Sequence, residues 1–141
     1  MKYFTLVLFS SLIIAGCSSS KMVSMDPVTY DPCTEQTNLT STDVFTGETV
    51  NNVAIDQQSS VVFLTMDIRT YCNSQLTSEM KQSENQVTFM LSNSNTATDD
   101  CVCIKKARTS FRDMAPGTYT LKITDKTGYK LLDQKTITIP E

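Results

Sequence analysis

The stretch from Val61 to Cys72 constrains the chain most, because its apolar residues recur every second position. Val62, Leu64, Met66, Ile68 and Cys72 fall on one side, and Thr65, Asp67, Arg69 and Tyr71 fall on the other. A period of two is the repeat of an extended strand with one buried face, and it is incompatible with a helix. Val61 and Phe63 add apolar residues to the opposite side at the strand's start, either as burial under a loop or as an exposed contact patch. The same alternation returns in Gln86 to Leu91 through Val87, Phe89 and Leu91, and in Thr118 to Thr124 through Tyr119, Leu121 and Ile123. Asp125-Lys126-Thr127-Gly128 then reads as a turn, since glycine takes positive φ at little cost. The chain returns through Tyr129, Leu131, Ile137 and Ile139. On that return Asp133 and Lys135 share the parity of the apolar residues, which predicts either a bulge or a meeting of two strands. Val53–Ile55 and Val102–Ile104 are weaker strands. Asn73 to Gln82 is the one faintly helical segment, with Leu76 and Met80 four residues apart. Six or seven short strands separated by turns predict an all-β fold, an antiparallel β-sandwich, over residues 43–141.

Phe111-Arg112-Asp113-Met114-Ala115-Pro116-Gly117-Thr118-Tyr119-Thr120-Leu121 resembles the F-x-x-[LM]-x-P-G-x-Y-x-L signature found near the end of many Ig-like and prealbumin-like sandwiches. Collagen-adhesin B-type repeats and domains of surface lipoproteins are among them. The resemblance implies an Ig-like sandwich in which Pro116-Gly117 makes a tight turn and Tyr119 and Leu121 enter the core. It covers about eleven residues, or about thirty with the following hairpin, and says little about function. The self-formed Lys–Asn crosslink of some adhesin repeats has no matching residues here.

The N-terminus speaks to location. Lys2 precedes an eleven-residue apolar run, Phe4 to Ile14, followed by Ala15-Gly16-Cys17. As a helix this run reaches only about half of a ~30 Å hydrocarbon core. A charged start, a short apolar run and small residues are the build of a secretory signal. Ile14-Ala15-Gly16-Cys17 resembles a bacterial lipobox, which implies removal of residues 1–16 and a thioether-linked diacylglycerol on Cys17. Two or three acyl chains make membrane residence effectively permanent, at about 0.8 kcal/mol per buried methylene. Ser18, where aspartate resembles an inner-membrane retention signal, favours the outer membrane. Residues 17–42 carry Ser18-Ser19-Ser20, Pro27 and Pro32 without sustained periodicity, the composition of a flexible lipidated tether.

Four further cysteines remain: Cys33, Cys72, Cys101 and Cys103. In an oxidising compartment an even number predicts two disulfides. Cys101 and Cys103 lie on one strand with Cα atoms ~6.7 Å apart, at the outer limit for a bridge. The expected arrangement therefore pairs Cys72 with one of them and Cys33 with the other. Two rivals use the same residues. A four-thiolate metal site is disfavoured because Cys-x-Cys lacks the spacing usual in zinc ligand pairs. Thiol redox chemistry at Cys101-Val102-Cys103 lacks the C-x-x-C spacing and the helix N-terminus that lower a thiol pKa, and Asp99 and Asp100 would raise it.

The chain of 141 residues contains no histidine, which excludes every mechanism that needs an imidazole. Its net charge of −3 argues against nucleic-acid binding, which requires dense Lys and Arg. Lys105, Lys106, Arg108 and Arg112 form the one basic cluster. They suit a solvated strand face or, alternatively, a contact for anionic headgroups or an acidic partner. Carboxylate pairs such as Asp99-Asp100 and Glu79 with Glu84 are not placed across a cleft by any pattern. Gly-rich phosphate loops, G-x-S-x-G and EF-hand patterns are missing. No catalytic residue, metal or cofactor is expected. The sequence predicts a non-catalytic binding or structural module, anchored in the outer membrane through Cys17, with a protein or polysaccharide partner in the cell envelope. A pilotin-like assembly helper for a secretion channel is the alternative, favoured if Val61 and Phe63 line an exposed apolar groove. A thiol redox or metal protein using Cys101 and Cys103 is a third.

Overall fold

A computed structural model describes residues 22–40, 47–94 and 100–141. Cys17, the apolar run and Asp99 lie outside the described residues. Those described form ten strands and no helix: β1 Ser24–Met25, β2 Thr29–Tyr30, β3 Thr34–Asn38, β4 Thr49–Gln58, β5 Val61–Tyr71, β6 Leu76–Ser83, β7 Gln86–Asn93, β8 Cys101–Arg112, β9 Gly117–Asp125 and β10 Leu131–Ile139. They make two sheets. One runs β1-β8-β5-β4, with β2 and β3 also pairing with β8. The other runs β10-β9-β7-β6. All pairings are antiparallel except β7 with β9, which is parallel because the chain crosses to the first sheet through β8 before returning. The all-β sandwich is as expected, with one parallel pair inside an otherwise antiparallel scheme.

Parity decides what is buried. On β5 the even residues Val62, Leu64, Met66, Ile68 and Thr70 are buried, and on β8 their register partners are odd: Phe111, Thr109, Ala107, Lys105 and Cys103. The second sheet answers with Val87, Phe89 and Leu91, with Tyr119, Leu121 and Ile123, and with Ile137 and Ile139. Each such side chain contributes about 1.5–3 kcal/mol when fully buried, so these two inner faces hold the sheets together. On β10 the register shifts between Leu131 and Asp133, where parity predicted a bulge or a meeting of two strands, and one strand continues through it. Asp133 and Lys135 keep the inward parity and pair with each other at 3.3 Å.

The signature of Phe111 to Leu121 forms one corner. Phe111, Met114, Tyr119 and Leu121 are all buried, and Gly117 takes φ 147°, open to glycine and strained for other residues. The Tyr119 hydroxyl donates to the Ala115 carbonyl at 3.0 Å, tying the strand back to the turn before it. A tyrosine of this kind marks the corner of many Ig-like sandwiches.

Two expectations are corrected. Asn73 to Gln82 holds β6, an edge strand, instead of a helical turn. A spacing of four suits both periods, and on β6 Leu76 and Met80 pack on the core while Ser78 and Gln82 occupy the same face. The tether boundary also moves. Within 17–42, residues 22–40 belong to the sandwich: Val23 is buried, and Met25, Val28 and Tyr30 pack against the core. Pro27 and Pro32, which suggested a linker, instead divide one edge into β1, β2 and β3, since proline has no N–H for the ladder and is tolerated at an edge. The amides of Asp26, Asp31 and Leu39 donate to the carbonyls of Ser110, Lys106 and Asp100, fastening all three pieces to β8.

Those same strands match the basic cluster. Arg112 meets Asp26 and Arg108 meets Asp31, both at 2.7 Å. Lys106 meets Asp67 at 3.8 Å, and the Lys105 ammonium donates to the Ser74 carbonyl. Lys106, Arg108 and Arg112 thus lie on the solvated strand face with a carboxylate beside each, whereas Lys105 has the inward parity and is held by a carbonyl. Such half-exposed pairs are worth about 0–1 kcal/mol each and act mainly on register. The Ser110 hydroxyl and the Arg112 guanidinium hold the Asp26 carboxyl below its ordinary value near 3.8. A depressed folded pKa gives stability that is present above the unfolded value and is lost as the pH falls through the folded one. Asp26→Asn should therefore flatten the acid side of the stability profile below about pH 4, measured by thermal melts across pH. An unchanged acid limb would contradict it.

Candidate functional site

The four cysteines lie at the end of β8 opposite Arg112. The Cys72 amide donates to the Cys101 carbonyl at 3.0 Å, extending the β5–β8 ladder by one rung. This places the two cysteines in a pair at disulfide distance, with Cα atoms 5.5 Å apart. Cys33, just before β3, reaches diagonally to Cys103 with Cα atoms 5.6 Å apart, a second pair at disulfide distance. Both separations match the usual span of such bridges. Cys101 and Cys103 are not partners, the arrangement that strand geometry disfavoured. The inward parity of Cys72 and the shared face of Cys101 and Cys103 were legible in sequence. The choice between Cys101 and Cys103 was not, because it depends on a register set by distant residues.

The two pairs touch. The sulfurs of Cys33, Cys72 and Cys103 all lie within 4.8 Å of one another, and Cys33 Sγ is 3.4 Å from the Cys72 carbonyl oxygen. Cys103 is buried at 1% exposure, while the other three are half-buried.

Beside them a polar network closes this end of the sandwich. The buried hydroxyls of Thr70 and Ser74 are 2.6 Å apart. The Asn93 amide donates to the Ser74 hydroxyl at 3.0 Å and to Glu48 Oε1 at 2.9 Å. Thr70 donates to the same Glu48 oxygen at 3.4 Å. With every member partnered, burial of these groups costs little and fixes the loop before β4 against the loop after β5.

Glu48 also lines a cleft of about 270 Å³ together with Gly47, Tyr71, Leu91, Asn93, Asp125 and Lys126. The Thr127 hydroxyl at 2.6 Å, followed by the amides of Lys130 and Thr127, holds the Asp125 carboxyl below its ordinary range. Asp125 therefore keeps its charge to lower pH than an unperturbed aspartate does. Glu48, Asn93 and Asp125 come from three separate chain segments with no motif among them, so sequence reading missed the cleft. Just past it stands the β9–β10 turn, where Gly128 takes φ 76°, Tyr129 is 94% exposed and Leu131 is 53% exposed.

The remaining predicted sites lie apart. Val61 is half-buried and Phe63 is 38% exposed on the outer face of β5, and neither lines the cleft. Glu79 and Glu84 occupy an edge strand and its turn, facing no carboxylate partner across a cleft among the described residues. A cleft with two carboxylates, a lysine and a tyrosine, in a chain without histidine, suits recognition of polar groups by hydrogen bonds. Comparison with models of known protein families, with characterised proteins and with solved structures finds no match.

Proposed function

We propose that this chain is a bacterial lipoprotein, lipidated on Cys17 and held in the outer membrane. Its Ig-like sandwich then serves as a non-catalytic binding module for a protein or polysaccharide of the cell envelope. The lipobox-like Ile14-Ala15-Gly16-Cys17 supports the anchor, and the Tyr119 corner supports the Ig-like assignment. Both cysteine pairs are oxidised in this reading, as expected of an exported domain.

One observation carries the binding role: the two ends of the sandwich differ. Ser24 pairs with Arg112 at one end of β8, whereas the cleft, the cysteines and Tyr129 cluster at the other. Eleven residue steps along a strand separate those ends by about 35 Å. From Cys17 to Val23 the chain spans at most about 20 Å. An anchor at Cys17 therefore keeps the Arg112 end near the lipid and presents the cleft and the exposed Tyr129 away from it. Val61 is half-buried and Phe63 is 38% exposed away from this cleft, so the cleft lends nothing to the pilotin-like alternative.

Cys17→Ser should move the protein from the membrane fraction to the soluble periplasmic fraction. In the anchored protein, a photo-crosslinking residue at position 129 should capture an envelope component that the same residue at position 59 does not. Membrane partitioning unchanged by Cys17→Ser would refute the anchor. Capture from position 59 alone would refute the orientation.

A further inference from the structure

We infer that the four cysteines form one exchange unit, in which Cys72 can pass its bond from Cys101 to Cys33. The inference rests on the reading that both pairs are oxidised. Two separate structural bridges would need no contact with each other, yet here a third sulfur, that of Cys72, stands within 4.8 Å of both Cys33 and Cys103. Cys33 Sγ lies 3.4 Å from the carbonyl oxygen of residue 72 itself. Residues 71–75 form the bend between β5 and β6, where Ser74 donates its amide to the Tyr71 carbonyl. Cys72 thus sits just beyond the last strand residue, half-buried.

The chemistry runs as thiol–disulfide exchange with an external thiolate as reductant. The thiolate attacks the half-buried Cys101 sulfur, breaks the Cys72–Cys101 bond and leaves Cys72 as thiolate. A second external thiol releases Cys101 as a thiol and departs as the external disulfide, having supplied two electrons in all. The Cys72 thiolate then attacks Cys33. The Cys33–Cys72 bond forms, the Cys33–Cys103 bond breaks, and Cys103 leaves as a thiolate that takes a proton from water. Attack through a mixed arrangement of three sulfurs is the general route of such exchange, and access decides which sulfur is reached. The buried Cys103 is closed to the external thiol but adjoins the internal one. One two-electron reduction therefore yields a chain with Cys33 bonded to Cys72 and with Cys101 and Cys103 both free. The cross-strand link of β5 to β8 is replaced by a link from the segment before β3 to the end of β5. The device is a redox-sensitive change of connectivity at the end that bears the cleft.

Limited reduction of the exported full-length protein with dithiothreitol, trapping with N-ethylmaleimide and peptide mapping test this. The starting protein is first counted for free thiols among these four residues. Four free thiols would overturn the oxidised reading itself, whereas none admits the exchange test. The one-disulfide species should carry label on Cys101 and Cys103 together with a Cys33–Cys72 linked peptide. A one-disulfide species that keeps Cys33–Cys103 and is labelled on Cys72 and Cys101, or the converse, overturns the proposal. If no such species accumulates, Cys101→Ser decides. Its unpartnered Cys72 should attack Cys33 in the same way, so that the Cys33–Cys72 linked peptide exceeds the Cys33–Cys103 one. Cys33–Cys103 in excess in that variant overturns the proposal as well.

Discussion

Replacing Cys33 and Cys103 together by alanine is expected to destabilise the domain by about 4 kcal/mol and to lower its melting temperature by about 15 °C. The pair closes a separation of 70 residues, and the Cys72–Cys101 pair one of 29. In the chain-entropy account those loops correspond to about 4.4 and about 3.6 kcal/mol, so the longer loop should cost more to open. The larger loss should also be distributed unevenly. Cys33 stands between β2 and β3, whose remaining attachments to β8 are short ladders interrupted by Pro27 and Pro32. Amide exchange at Asp26, Asp31 and Leu39, which donate to β8 carbonyls, should accelerate before exchange in β5 does. Replacing Cys72 and Cys101 should instead loosen the end of the β5–β8 ladder and leave β1 and β2 protected. Equal melting temperatures for both double variants, with uniform exchange, would show that residues 22–40 do not depend on the Cys33 link.

This dependence explains why the early segment was illegible in sequence. Its apolar residues Val23, Met25, Val28 and Tyr30 are too few and too interrupted to display a period, and its prolines carry the composition of a linker. What makes them strands is an edge supplied by β8, about eighty residues later, together with three amide and two carboxylate contacts that no local window contains. β5 was legible for the opposite reason. It is a central strand with one fully buried face, so its alternation reaches the sequence, blurred only at the start by Val61 and Phe63. β6, an edge strand, lines its half-buried face with Ser78 and Gln82 as well as Leu76 and Met80, and four-residue spacing then mimicked a helical turn. The cleft follows the same logic at its extreme. Gly47, Glu48, Asn93 and Asp125 meet where loops of both sheets converge, and nothing in their separate neighbourhoods signals the meeting.

Phe111→Ala should cost about 3–5 kcal/mol, as expected for emptying a fully buried aromatic site, while Phe63→Ala should stay within about 0.5 kcal/mol. The two phenylalanines sit close together in the sheet: Phe111 is opposite Val62, and Phe63 is opposite Ser110. They differ only in parity. Phe111 has no exposed surface, pairs with Met25 of β1 on its other side and opens the corner that ends at Tyr119. Phe63 projects from the outer face and is 38% exposed. Because a one-residue slip of β5 against β8 would turn Phe63 inward while Phe111 kept its face, the pair of variants reads the register of β5 directly. Chemical denaturation should show a large fall in midpoint for Phe111→Ala at unchanged slope, and almost none for Phe63→Ala. Comparable losses would mean that the outer face of β5 is covered by structure or by a partner. A large loss at Phe63 alone would place the core on the other side of the sheet, and with it would fall the inward aim of Cys72 and Cys103 on which both cysteine pairs depend.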